Sequence, residues 1–310
     1  MMSTGKRTIY LMGTVIQLWL QHEDPEPLLE QAEARLRDYE KRFSANRSDS
    51  QLMEITRNAG KASVQVAPDL FELIRIGKAQ SLARDSFLNI AIGPLIQAWR
   101  IGFGDAKQPP QEEIDRLLSV IDPACIVLDE SNHSVFLTQP GMGLDLGALA
   151  KGYFADQMIA FFRQAGATAA FIDLGGNVLT FGESPNHADG FWRVGIQNPF
   201  LPRGHHAAVL KVKDGSVVTS GIYERKLQLD GVTYHHIFDS QTGYPVRSNV
   251  ASLTVVSQQS LDGEIWTTRL YGKNGAEVIV ALNELEALGG LVITTEGGLA
   301  CSENLKALLL

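Results

Sequence analysis

The sequence is short of several features that would mark an obvious route to function. It holds 2 cysteines in 310 residues, Cys125 and Cys301, far apart and without a metal-type spacing. That argues against a disulfide framework and fits a reducing compartment. A basic surplus is also missing: 27 Lys and Arg face 35 Asp and Glu, for a net charge of −8. With no basic stripe to follow a phosphate backbone, nucleic acid is not an expected partner. No apolar run is long enough to span a bilayer. Lys6 and Arg7 precede an apolar stretch broken by Gln17 and His22-Glu23-Asp24, with neither a signal-peptide core nor an early cysteine for lipid attachment. The expectation is a cytoplasmic protein with no membrane association. Repeats, low-complexity tracts and domain-separating linkers are absent as well, so one domain over residues 1–310 is expected.

What is present is an ordinary globular composition, 45% hydrophobic and 20% charged. Strands and helices follow one another without regular alternation. That pattern predicts an α+β fold: a single large mixed domain with antiparallel-rich sheets and packed helices. Tyr10 to Leu20 reads as one strand, with Met12-Gly13-Thr14 marking a bulge or a close approach inside it. Pro25 opens a helix with apolar residues at Leu28, Leu29, Ala32, Leu36 and Tyr39. Ser50 caps a shorter one. Ala169 to Leu174 is a short strand followed by Gly175-Gly176-Asn177, where a main chain can pass close to a ligand or merely turn.

The stretch from Gly141 to Asp156, GMGLDLGALAKGYFAD, reads as a strand running into a helix. Asp145 is placed at the N-cap, small residues fill the first turn, and Lys151 lies about one turn in. Such a turn exposes backbone N–H groups, and the lysine would reach a phosphate. An ordinary capped helix with a solvated lysine has the same pattern.

Three other groups carry possible chemistry. His235 and His236 are neighbours in a strand-like run, so their side chains face opposite ways and only one can serve a given site. Thr219-Ser220-Gly221 reads as a turn, with no histidine and acid at a triad-like distance. Asp262, Glu264, Thr267 and Thr268 offer hard oxygen ligands near a helix start, and Glu264 and Thr268 share a face at i,i+4. Carboxylate and hydroxyl oxygens suit Mg²⁺, above all with phosphate oxygens completing the shell.

Taken in order, these stretches resemble the FAD:protein FMN transferase (ApbE-type) family from Met12 to about Thr295. The most specific parts are Asp145-Leu146-Gly147-Ala148-Leu149-Ala150-Lys151-Gly152-Tyr153, Gly175-Gly176-Asn177, Thr219-Ser220-Gly221, and His236-Ile237-Phe238-Asp239 with Thr242-Gly243. The resemblance implies an ApbE-like, T-fold-like architecture and Mg²⁺-dependent transfer of FMN from FAD to a threonine of a partner flavoprotein, releasing AMP. It implies FAD contacts at Met12, Asn46, Asn89, Ile90, Ala91, Asp145, Lys151, Gly176, Thr219, Ser220, His236 and Ile237. It also implies a metal at the Ala148 carbonyl. His236 is the candidate base, with Asp239 an alternative base or orienting partner. The family's metal acid is followed four residues later by threonine, whereas Asp262 is followed at that distance by Trp266. The pair shifted by two, Glu264 and Thr268 with Thr267 adjacent, keeps the spacing, and Asp262 stays a second candidate. Asn46 and Asn89 also depart from the family's usual aromatic and aspartate. Competing expectations are FAD pyrophosphate hydrolysis to FMN and AMP, or FAD binding and delivery without turnover.

Overall fold

Short β-branched runs and tight turns build the frame. In the computed structural model, which describes residues 2–310, the strands are β1 (Ser3–Leu11), β2 (Thr14–His22), β3 (Val64–Gln65), β4 (Ile126–Asp129), β5 (Ser134–Leu137), β6 (Ala169–Leu174), β7 (Asn177–Phe181), β8 (Trp192–Gln197), β9 (His206–Val212), β10 (Ser216–Gly221), β11 (Lys226–Leu229), β12 (Val232–His235), β13 (Val250–Ser257), β14 (Gly289–Thr294) and β15 (Leu299–Cys301). The helices are α1 (Pro25–Phe43), α2 (Gln51–Arg57), α3 (Pro68–Ser81), α4 (Gly93–Trp99), α5 (Gln111–Leu118), α6 (Ala150–Gln164), α7 (Ser260–Leu270) and α8 (Gly275–Asn283).

Eight strands form one antiparallel sheet in the order β1-β2-β6-β7-β10-β13-β14-β15. Alternation divides its side chains between two covers. Ile16, Leu18, Leu20, Ile172 and Leu179 pack with Leu29 and Leu36 of α1 and Phe154 and Phe162 of α6. Leu253, Val255 and Val292 pack with Val278 and Leu282 of α8. On the opposite face, Val178, Val217, Val256 and Ile293 meet Val194, Ile196 and Leu210 of the β8–β9 hairpin. Hence β13 is buried along its whole length. Tyr39 stacks on Phe154 at 4.6 Å and locks α1 against α6, and Arg42 at the end of α1 makes a bidentate pair with Asp69 of α3. The mixed α+β architecture with antiparallel sheets is as the composition and element pattern predict.

Three local expectations are corrected. Tyr10 to Leu20 is not one strand. Met12 and Gly13 have φ of +55° and +71° and make a two-residue turn with both central residues left-handed, joining β1 to β2 in the manner of a type I′ hairpin. Glu40 of α1 fixes this turn by accepting the Met12 N–H at 2.6 Å. Thr219-Ser220-Gly221 is not a turn but the second half of β10, paired with Leu253, Thr254 and Ser252 of β13. Asp145 is not the cap of α6, which begins five residues later. Its carboxylate instead accepts the Gly147 N–H at 2.7 Å, an Asx turn that shapes the approach to the helix.

Candidate active site at the open end of the sheet

Several turns meet at one end of the sheet. Register places Ile16 of β2 opposite Leu174 of β6, so the Met12-Gly13 turn and the Gly175-Gly176 turn are neighbours. They fit closely: a Cβ built on Gly175, whose φ is +72°, would lie 2.1 Å from Thr14 Oγ1. Beyond that turn β7 no longer pairs with β10, because their ladder covers only Ser216 to Val218. The half-buried Thr219 and Ser220 therefore line the edge beside Gly176, with Thr219 Oγ1 bonded to Thr254 Oγ1 at 2.8 Å.

The lead-in to α6 forms a second wall. Asp145 N–H is bonded to Ile90 O at 2.9 Å, and Ile92 pairs with Gly143 in a parallel bridge, which holds residues 89–92 alongside the Asp145 turn. Ile90 and Ala91 are buried main chain and all: the Ile90 N–H donates to Ser81 Oγ and the Ala91 N–H to Asn89 Oδ1. Asn89 is structural here: its amide donates to Ile121 O at 2.9 Å and its carbonyl accepts from Ala91 N–H at 2.8 Å. Asn46 is bridged to α4 through Gln97. Burial pushes the Asp145 carboxyl upward, opposed by its Gly147 bond and the charge of Arg225.

At the start of α6, Ala150 N–H bonds to Leu146 O and Tyr153 N–H to Leu149 O, whereas Ala148 O receives no backbone hydrogen bond among the described residues. The Gly152 N–H is aimed at Glu264 instead. Only glycine permits this crossing, since a Cβ on Gly152 would lie 2.6 Å from Ser260 O and 2.7 Å from Glu264 Cγ. Glu264 is 5% exposed. It accepts from Asn177 Nδ2 at 3.0 Å, and Asn177 in turn accepts from the Ser260 hydroxyl, itself bonded to Ser216. No basic nitrogen lies within 4.0 Å of the Glu264 carboxylate or pairs Lys151 with an acid among the described residues. Burial raises the Glu264 pKa, and the nearby charge of Lys151 lowers it.

The other oxygen candidates are arranged differently. Thr268 is partly exposed, one turn after Glu264. Thr267 is fully buried and donates to Glu264 O at 3.1 Å. Asp262, two residues from Glu264, points to the far side of α7 and is raised by burial. Asp156 of α6 accepts Ser260 N–H at 2.7 Å and Leu261 N–H at 2.9 Å. It caps α7, and burial, outweighing these bonds, raises it to about 6. No group of three His, Cys, Asp or Glu side chains assembles among the described residues. A buried carboxylate with no basic nitrogen within 4.0 Å, a free carbonyl and the Thr268 hydroxyl one turn on nevertheless fit Mg²⁺, which commonly takes few protein ligands beside water and phosphate.

The two histidines have different partners, and only His235 belongs to β12, which ends there. His235 bonds Val246 O through Nε2 at 2.9 Å and receives Ile237 N–H, which ties down that corner. His236 Nδ1 is buried and has no partner, and burial followed by the charge of Arg225 brings the ring down to about 4. Asp239 accepts Gln241 N–H at 2.8 Å in a loop held over α4 and α5, where Trp99 Nε1 donates to Gly243 O at 3.0 Å.

Sequence reasoning missed Asn177 as the partner of Glu264, Asp156 as a cap, and Arg225 altogether. A signal for Arg225 existed. Asp230-Gly231 is a two-residue turn pair, and the β11–β12 register it sets, ending at Lys226↔His235, brings Arg225 and His236 together at the base of the hairpin.

An antiparallel sheet whose glycine turns open onto unpaired cations and a buried acid defines an α+β enzyme for an anionic substrate. The chain belongs to the ApbE family, whose model matches residues 12–289. It is 42% identical over 284 residues to a Klebsiella pneumoniae protein named FAD:protein FMN transferase, covering 92% of this chain and 87% of that one. A Treponema pallidum protein of the same name is 32% identical over 302 residues, covering 93% and 83%. Among solved structures, the ApbE protein of Thermotoga maritima superposes with a TM-score of 0.89 at 25% identity, over 99% of both chains. The fold is shared with a Pseudomonas stutzeri flavinyl transferase, TM-score 0.85 at 22% identity, over 99% and 97%.

Proposed function

We propose that this protein transfers FMN from FAD to a threonine hydroxyl of a partner protein, releasing AMP, with Mg²⁺ as the required ion. The observation that carries the reading is the pairing of family membership with a buried Glu264 that makes no ion pair, near an equally unpaired Lys151.

In this reading Glu264, Thr268 and the Ala148 carbonyl hold the ion, which when bound supplies positive charge against the diphosphate. Lys151 adds a second cation toward the phosphate at the start of α6. The neutral His236 imidazole takes the threonine proton. The threonine oxygen forms a bond to the FMN phosphorus, the phosphorus–oxygen bond to AMP breaks, and AMP departs with the electron pair. The chain's own contribution is mainly alignment and charge compensation. Asn177 orients the Glu264 carboxylate, and the Met12-Gly13 and Gly175-Gly176 turns let a flat substrate lie against main chain. Residues 1–310 are taken as one functional unit.

The test is incubation with FAD, MgCl₂ and a threonine-bearing acceptor domain, followed by in-gel flavin fluorescence and AMP quantification. Covalent FMN on the acceptor matched by AMP supports transfer. AMP release that is the same with and without acceptor, and no labelled acceptor, overturns it in favour of hydrolysis.

A further inference from the structure

We infer that Arg225 is a substrate-contacting residue that recognises the diphosphate of FAD. This rests on the proposed transferase reading and assigns a group that the sequence motifs do not mark. Three geometric facts carry it.

First, the arm is held although its end is exposed. A Cβ built on Gly102 would lie 2.7 Å from Arg225 Cδ and 3.1 Å from Cγ, so the stem lies directly on a residue without a side chain. Gly102 has φ +94°, a conformation that favours glycine. At the other end, a Cβ on Gly13 would lie 3.6 Å from an Arg225 guanidinium nitrogen. The arm therefore extends from the α4 loop to the Met12-Gly13 turn.

Second, its guanidinium has no partner among the described residues. Its neighbour Glu224 is committed to Arg203, and many other arginines are paired, including Arg42, Arg100 and Arg193. A planar fork of donors with a restrained stem and no carboxylate suits a phosphate oxygen pair. Third, the register that ends at Lys226↔His235 fixes Arg225 beside His236. With Lys151 it sets two unpaired cations near one imidazole of an acidic protein. That combination selects an anion rather than an apolar ligand.

The experiment compares the unaltered chain with Arg225→Gln and Arg225→Lys, titrating FAD and, separately, riboflavin, which has no phosphate. Binding is read by fluorescence at low and at 300 mM salt, a level set to screen surface charge to roughly one Debye length of a few ångströms. Arg225→Gln is expected to weaken FAD at least about tenfold, with Arg225→Lys intermediate because it keeps the charge without the fork. Riboflavin affinity should stay within about twofold, and the salt dependence of FAD binding should shrink. Gly102→Ala, which keeps the charge but displaces the stem, should also weaken FAD more than riboflavin. Unchanged FAD affinity in Arg225→Gln, or equal loss of FAD and riboflavin, would overturn the assignment while leaving the transferase reading standing. Failure of the unaltered chain to bind FAD would overturn both.

Discussion

Replacing Glu264 with glutamine should reverse an order of stability. The wild-type carboxylate is 5% exposed and has no cation within 4.0 Å. Burying such an ion costs several kcal/mol even after relaxation. The charge of Lys151, the bond from Asn177 Nδ2 and the Gly152 N–H offset part of this cost, yet burial still leaves the carboxyl raised. Glutamine removes the charge and keeps the Asn177 bond, but sets an amide nitrogen against one donor. The net expectation in EDTA is a variant more stable than wild type, because it no longer buries a charge. With Mg²⁺ at a hundred times its dissociation constant, wild type gains about 2.7 kcal/mol and the variant nothing. The wild-type gain is a rise of about 5 °C in a chain of this size. Differential scanning fluorimetry of both proteins in EDTA and in a MgCl₂ series would show the two curves crossing, with FMN transfer lost in the variant. If Glu264→Gln is the less stable protein in EDTA, or gains as much from Mg²⁺, the account of this carboxylate as a buried, under-compensated metal ligand is wrong.

Further outcomes follow from the same geometry. His236→Asn should lower kcat for transfer by roughly 10²–10⁴ with FAD affinity largely retained; an unchanged rate would move the base elsewhere. Because the His236 pKa lies near 4 in the folded protein, its contribution to stability is complete above the ordinary histidine range and is lost as pH falls toward 4. NMR titration of its imidazole would show a midpoint near that value, and one near 6.5 would refute the burial argument. Asp156 has the opposite sign. Its folded pKa is raised to about 6, so its contribution is greatest below the ordinary aspartate range and declines as pH rises through 6, readable as a carboxyl ¹³C shift. Gly175→Ala should cost about 1–3 kcal/mol in urea unfolding, because φ is +72° and the added carbon meets Thr14. A variant as stable as wild type would mean the two turns do not pack as described.

Much of the frame was legible because local chemistry and tertiary environment agree. Ala169–Leu174 was bounded correctly because it alternates between two buried faces. Ser50 was found as a cap, and its side chain does accept Met53 N–H. His235 and His236 have different surroundings, one bonded to Val246 O and the other with a buried, unpartnered Nδ1. Legibility failed where distant residues decide. Met12 adopts a left-handed conformation that its own side chain does not favour, supported by Glu40 from another element. Thr219-Ser220-Gly221 has turn-like composition yet is held extended by β13 on one side. At the site, the spacing from Glu264 to Thr268 was visible, but not that Asn177 from a separate hairpin would hold the acid. The strands flanking Asp230-Gly231 are largely exposed, so they lack the alternation by which a strand is recognised, and Arg225 went unnoticed with them.

The hairpin β11–β12 has one more implication, for anyone who would shorten or graft it. Strand side chains alternate with a period of two, so the face to which His235, the last residue of β12, is turned is encoded by parity. Dropping a single residue between Gly231 and His235 would turn the residue at the end of β12 to the other face and break the anchoring bond to Val246 O. Removing one residue from each strand together would preserve the pairing of Lys226 with His235 and with it the anchor.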